Sequence, residues 1–182
     1  VEHLPPGAII ADPACGVGGF VLEPLMNKRP HDFRSEDARP IQYVGWDRDD
    51  KTIILAKANM LVHLSEALEQ DPPGALSRIA AALNSTFLAC RGLTGSLDRA
   101  PRDQFDLVMT NPPYVTRGTG KQREFLAGHA DYYAVRGSGV ENLFTQLVIN
   151  GLKPNGRALV IVPDGLLLRH SEATLKAHLL KT

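Results

Sequence analysis

Short apolar runs alternate along this chain with segments whose apolar residues recur every three or four positions. Ala8-Ile9-Ile10-Ala11 is the first run, and a glycine cluster follows it. Gly19 to Met26 predicts a helix that Pro24 soon interrupts. Residues 27 to 40 are polar and bounded by proline, so they read as a loop before a second strand from Ile41 to Trp46. Asp49 to Leu68 predicts a helix: Ile53, Ile54, Ala58, Leu61 and Leu64 share a spacing, and Asp49 or Asp50 caps its start. Asp71-Pro72-Pro73-Gly74 is expected to break the chain before a shorter helix from Ala75 to Leu83. Ser85 to Cys90 reads as the third strand, Arg91 to Gln104 as a loop, and Phe105 to Thr110 as the fourth strand. Val115 to Gly139 has little periodicity and reads as a long irregular segment. Val140 to Leu152 predicts a helix with Leu143, Phe144, Leu147 and Val148 on one face. Pro154-Asn155-Gly156 is a turn, Arg157 to Val162 a fifth strand, and Ser171 the cap of a last helix ending at Lys181.

Strands alternating with helices predict an α/β domain with a mainly parallel sheet. Sites in such sheets gather at the carboxyl ends of strands, near the switch in strand order. Three unusual segments fall at such ends: the glycine cluster, Asp47, and Asn111-Pro112-Pro113-Tyr114.

The chain has 182 residues, which suits one domain over 1–182, and 43% of them are hydrophobic, enough for a core. Lys+Arg and Asp+Glu are both 20, so the net charge is zero and any grip on a polyanion must be local or come from elsewhere. Cys15 and Cys90 have no metal-type spacing, the six histidines are scattered, and no metal site is expected. No apolar run reaches membrane-spanning length. The opening at Val1 and the helical ending at Thr182 read as those of a piece excised from a larger protein.

The tetrapeptide after the fourth strand is the most informative feature. Two prolines remove two backbone donors and fix the chain, leaving an amide side chain and bare carbonyls as acceptors. Tyr114 adds a flat face, and the set suits a planar substrate carrying an NH2 group. Asp12-Pro13-Ala14-Cys15-Gly16-Val17-Gly18-Gly19-Phe20 is a strand-to-helix turn whose glycines let a ligand approach the backbone. Its spacing is not the dinucleotide Gly-x-Gly-x-x-Gly. Asp47 stands where α/β nucleoside sites place an acceptor for ribose hydroxyls. Cys15 reads as a small filler in the turn, and the loop from Tyr114 to Arg136 as a solvated one with a small basic excess.

Together these residues resemble the N6-adenine DNA methyltransferases of bacterial restriction-modification systems, nearest the type I modification subunits and some type II enzymes. Asp12 to Phe20 is similar to the family's S-adenosylmethionine turn. Gly45 to Asp49, with Ala56, Asn59 and Met60, is similar to its second motif and following helix, and Asp106 to Tyr114 to its catalytic motif. Glu141-Asn142-Leu143-Phe144, Leu152 to Arg157 and Val162 to Gly165 are similar to its later helix and strand, so the likeness spans nearly the whole chain in family order. One departure is the segment after the third strand. The family often has an acidic residue there; this chain has Thr94-Gly95-Ser96-Leu97, with Asp98 just beyond.

The resemblance implies a Rossmann-like methyltransferase fold with helices on both faces of the sheet, truncated at both ends. It implies S-adenosyl-L-methionine as cofactor, held by Asp12, Pro13, Ala14, Cys15, Gly16, Gly18, Gly19, Phe20, Asp47 and Arg48. It assigns catalysis to Asn111, Pro112, Pro113 and Tyr114, acting on an adenine flipped out of DNA. It also implies a cytoplasmic protein and a target-recognition domain or specificity subunit outside this stretch. Two other readings stay open: methylation of a protein glutamine amide or of RNA guanine N2, which use the same or related motifs, and a non-catalytic cofactor-binding piece.

Overall fold

The computed structural model describes residues 4–27, 41–65, 72–114, 127–135 and 139–181. Five strands form one parallel sheet: β1 (Ile9–Asp12), β2 (Gln42–Asp47), β3 (Phe87–Ala89), β4 (Phe105–Thr110) and β5 (Leu152–Val160). Their order is β3-β2-β1-β4-β5. β1 is therefore paired on one side with β2, Asp12 opposite Gly45, and on the other with β4, Ala11 opposite Val108. The winding reverses at β1, which opens a crevice between the carboxyl ends of β1 and β4.

Successive residues of a strand point to opposite faces, and the core divides accordingly. Ile10, Leu107 and Met109 pack on one face with Phe20 of helix α1 (Gly19–Asn27). Neighbouring Ala11 and Val108 pack on the other with Val148 of helix α4 (Val140–Gly151). Helices α2 (Asp50–His63) and α3 (Pro72–Thr86) join α1 around Phe87 at the far end of the sheet. Among the described residues no helix is long and apolar enough to cross a membrane.

Local expectations differ from the structure in several places; helix α3 runs on to Thr86, so β3 starts at Phe87 and not at Ser85, and the expected loop after it holds a 3-10 turn (Gly95–Arg99). Helix α1 runs through Pro24, so the proline removes one amide donor without ending the helix. Pro72-Pro73 opens α3 instead of breaking the chain, because an amide missing from a helix's first turn has no intrahelical partner to lose. Helix α2 buries Ile53, Ala56 and Met60, with Leu64 just beyond its end, and leaves Ile54 and Leu61 exposed. The cap is Asp49, whose carboxylate accepts from Lys51 N and the Thr52 hydroxyl. β5 starts at Leu152, five residues early. It pairs Leu152 with Phe105, bulges through the expected turn with Asn155 at φ 66°, and resumes at Arg157 opposite Leu107. Ser171 does not cap the last helix: it lies in a 3-10 turn (His170–Glu172), and α6 (Ala173–Leu179) begins after Glu172. A short helix α5 (Asp164–Leu168) precedes that turn. Of the long irregular segment, 115–126 and 136–138 lie outside the described residues, as does the polar loop over 28–40.

Candidate active site

The turn after β1 is built by backbone constraints. Gly16 (φ 53°) and Gly18 (φ 90°) take the left-handed conformation that glycine adopts without strain. A Cβ on Gly18 would stand 2.9 Å from Phe87 Cζ, and one on Gly45 would stand 2.8 Å from Phe87 Cδ1. The Phe87 ring therefore needs both glycines to bring the turn onto β2. Cys15 N donates to Trp46 O at 2.8 Å, and Asn59 Nδ2 of α2 donates to Val17 O at 3.1 Å. The buried Cys15 thiol is pushed well up, first by burial and then by the carboxylates of Asp12 and Asp47, which makes it an inert filler.

Asp47 ends β2 and ties the two loops together. Its Oδ2 accepts from Gly16 N at 3.1 Å and its Oδ1 from Asp49 N at 2.9 Å. A carboxylate has about four acceptor sites, so capacity remains for a ligand's hydroxyls. The adjacent Arg48 lays its side chain over Gly95, with its Nη1 3.5 Å from Leu93 O.

Asp12 sits beneath the turn at 2% exposure. Its Oδ1 accepts from the Thr110 hydroxyl at 2.6 Å and from Ala14 N at 3.0 Å. Burial pushes its carboxyl up to about 6, opposed by those two hydrogen bonds and helped by the nearby Asp47.

A cleft of about 710 Å³ opens over these strand ends. Pro13 and Ala14 line it from the first turn, Asp47 and Arg48 from the second, and Asn111 and Pro113 from the end of β4. Of the other residues singled out in the sequence, Asp12, Cys15, Gly16, Gly18, Gly19 and Phe20 build the turn without lining the cleft, Pro112 is buried, and Tyr114 stands beside it, exposed. Thr94, Ser96, Leu97, Val140 and Phe144 are among the residues that form the rest of the wall. Sequence reading passed over these five as site residues, although Thr94 to Leu97 follow the carboxyl end of a strand. The Ser96 hydroxyl donates to Pro13 O at 2.5 Å, which fixes this segment to the first turn. The Thr94 hydroxyl is buried at the cleft wall and has no partner among the described residues, so it is a polar group that a ligand's hydroxyl or amine can satisfy.

Comparisons with known proteins bear on this arrangement. The chain is 30% identical over 165 residues to the type I restriction enzyme EcoEI methylase subunit of Escherichia coli, covering 88% of this chain and 29% of that one. It is 30% identical over 178 residues to the StySPI methylase subunit of Salmonella potsdam, covering 93% and 30%. The chain thus spans roughly a third of the length of these relatives. A structure described as a class I S-adenosylmethionine-dependent methyltransferase from Listeria monocytogenes superimposes with TM-score 0.61 at 18% identity, covering 100% of this chain and 47% of that one. A DrdV–DNA complex superimposes with TM-score 0.59 at 14% identity, covering 96% and 19%. These likenesses establish the Rossmann-like fold of such methyltransferases. The sequence model of the family described as N-6 DNA Methylase matches residues 3–182, and the chain belongs to that family.

Proposed function

We propose that this chain is the catalytic core of an enzyme that methylates the N6 amino group of adenine in DNA, as the modification activity of a restriction-modification system. One observation carries the reading: Asp47 and Asn111, from the ends of strands on opposite sides of β1, line one cleft. Bound S-adenosyl-L-methionine supplies an electrophilic methyl group. Ala14, Asp47, the Thr94 hydroxyl, which has no partner among the described residues, and Leu97 fit a nucleoside with hydroxyls and a flat ring, which supports this cofactor.

The remaining chemistry belongs to the chain. The exocyclic nitrogen of adenine is a poor nucleophile because its lone pair is delocalised into the ring. Asn111 Oδ1 accepts one N6 hydrogen and the Pro112 carbonyl accepts the other. Both bonds strengthen as positive charge develops on nitrogen, so they favour the transition state over the ground state. Tyr114, exposed at the mouth, stacks on the flipped base. The proton leaves after transfer.

The relatives are methylase subunits of type I restriction enzymes, and one structural neighbour was solved on DNA. These names support DNA as partner, a specificity subunit or target-recognition domain as the reader of sequence, and a cytoplasmic setting. The test is Asn111→Ala in the full-length protein. Methyl transfer to DNA is lost while cofactor affinity changes by less than about threefold, since a residue acting on the target amine contributes mainly in the transition state. Turnover retained within about tenfold contradicts the assignment.

A further inference from the structure

The two halves of the site are separate in sequence, and their relative placement decides whether a methyl group and an amine can meet in line. One buried contact joins them directly. Asp12 is the first residue of the glycine turn, and Thr110 immediately precedes Asn111. Thr110 is fully buried at 0% exposure and Asp12 nearly so at 2%, and the Thr110 hydroxyl donates to Asp12 Oδ1 at 2.6 Å. The strands that carry them are neighbours and pair Ile10 with Leu107 and Ala11 with Val108. Asp12 and Thr110 lie just past these paired residues, where their side chains make the contact. On its other side, Thr110 is fixed to β5, because its carbonyl accepts from Ile161 N at 3.0 Å.

Burying a carboxylate without a cationic partner is unfavourable. Asp12 has two neutral donors, Ala14 N and the Thr110 hydroxyl. One holds the start of the glycine turn and the other the start of the catalytic tetrapeptide. A carboxylate held from both sides in a dry site is a short, directional clamp, since charge-assisted hydrogen bonds are the stronger kind.

We propose that Thr110 is a positioning residue: its hydroxyl, bonded to Asp12, sets where Asn111 stands relative to the glycine turn. The inference rests on the methyltransferase reading above. It adds a residue that touches neither cofactor nor base and acts on the distance between them. Misplacement of about 1 Å costs on the order of 100-fold in rate, so a lost clamp is read in turnover and hardly in cofactor affinity.

The experiment uses the full-length protein with DNA and S-adenosylmethionine. Thr110→Val keeps the shape and removes the hydroxyl; Thr110→Ser keeps the hydroxyl. The valine variant is expected to lose about tenfold or more in single-turnover methyl transfer, with its cofactor dissociation constant within about threefold of wild type. The serine variant is expected to stay within about threefold in both. Should the valine variant not fold, Thr110→Ala replaces it, compared against the serine variant. A valine or alanine variant that turns over like the serine variant overturns the proposal, as does a loss confined to cofactor affinity. Wild type that transfers no methyl group to DNA overturns the functional reading itself, which separates the two failures.

Discussion

The hydroxyl of Tyr114 donates to the side-chain oxygen of Asn111, the atom assigned to receive the target amine. The same hydroxyl lies 3.0 Å from the carbonyl oxygen of Ile161, just beyond β5. A phenol has one proton and so serves one of these acceptors at a time. Donation to Asn111 fixes which end of the amide faces Tyr114, and donation to Ile161 frees that oxygen. Tyr114 therefore has two separable parts, a ring for the base and a hydroxyl for Asn111. Tyr114→Phe is expected to lower turnover by less than about tenfold with DNA affinity unchanged, whereas Tyr114→Ala weakens DNA binding by the roughly 1–3 kcal/mol of a stacked base. Equal loss in both variants, by fluorescence binding and single-turnover assays, contradicts this division.

Asp47 holds Gly16 N and Asp49 N with a carboxylate that keeps acceptor capacity toward the cleft. Asp47→Ala is expected to weaken S-adenosylmethionine binding by about 1.5–3 kcal/mol, the usual worth of hydrogen bonds to a charged group. Calorimetric titration, with NAD as a control that binds neither protein, checks it. Unchanged affinity contradicts the role.

The Phe87 ring touches the space beside both Gly18 and Gly45. Gly45→Ala forces a methyl group into that contact and is expected to cost about 1–3 kcal/mol of stability, as overpacking does. Combining it with Phe87→Leu makes room, so the double variant is expected to be more stable than the sum of the single losses predicts. Urea unfolding of the four proteins measures the coupling; strict additivity contradicts the packing account.

Asp12 titrates near 6 in the folded protein against an ordinary value of 3.8, and burial is the chief cause. The folded state thus binds this proton more tightly than the unfolded state. Stability from this group is fully present below the unfolded value and is lost as pH rises through the folded one. Asp47 raises it further by like charge, and Asp12 in turn acts on the Cys15 thiol; neither neighbour is a cation. Relative to Asp12→Asn, wild type is expected to gain up to about 3 kcal/mol as pH falls from about 7 to about 4. Parallel pH dependence of the two unfolding curves contradicts the assignment.

Much of this was legible in the sequence because strand ends carry the chemistry. The apolar runs around Ile9, Val44, Phe87, Val108 and Ala158 each gave a strand, and residues at or following the carboxyl ends of the first four meet in one cleft. Less legible were features fixed by tertiary context. Helix α2 is apolar nearly all round, so spacing alone did not separate buried Ala56 and Met60 from exposed Ile54 and Leu61. Pro72-Pro73 suits a helix start as well as a break, and only the structure decides between them. The wall from Thr94 to Leu97 has no side-chain signature, because Ser96 acts through the Pro13 carbonyl and Gly95 through the space it leaves for Arg48. The clamp between Asp12 and Thr110 joins residues 98 positions apart, beyond the reach of local pattern.

The most direct test is nucleoside analysis of DNA after incubation with the full-length protein and isotopically labelled S-adenosylmethionine. The account predicts label in N6-methyldeoxyadenosine and none there for Asn111→Ala. Label on a protein glutamine, on RNA guanine or on cytosine, with adenine unlabelled, would contradict it.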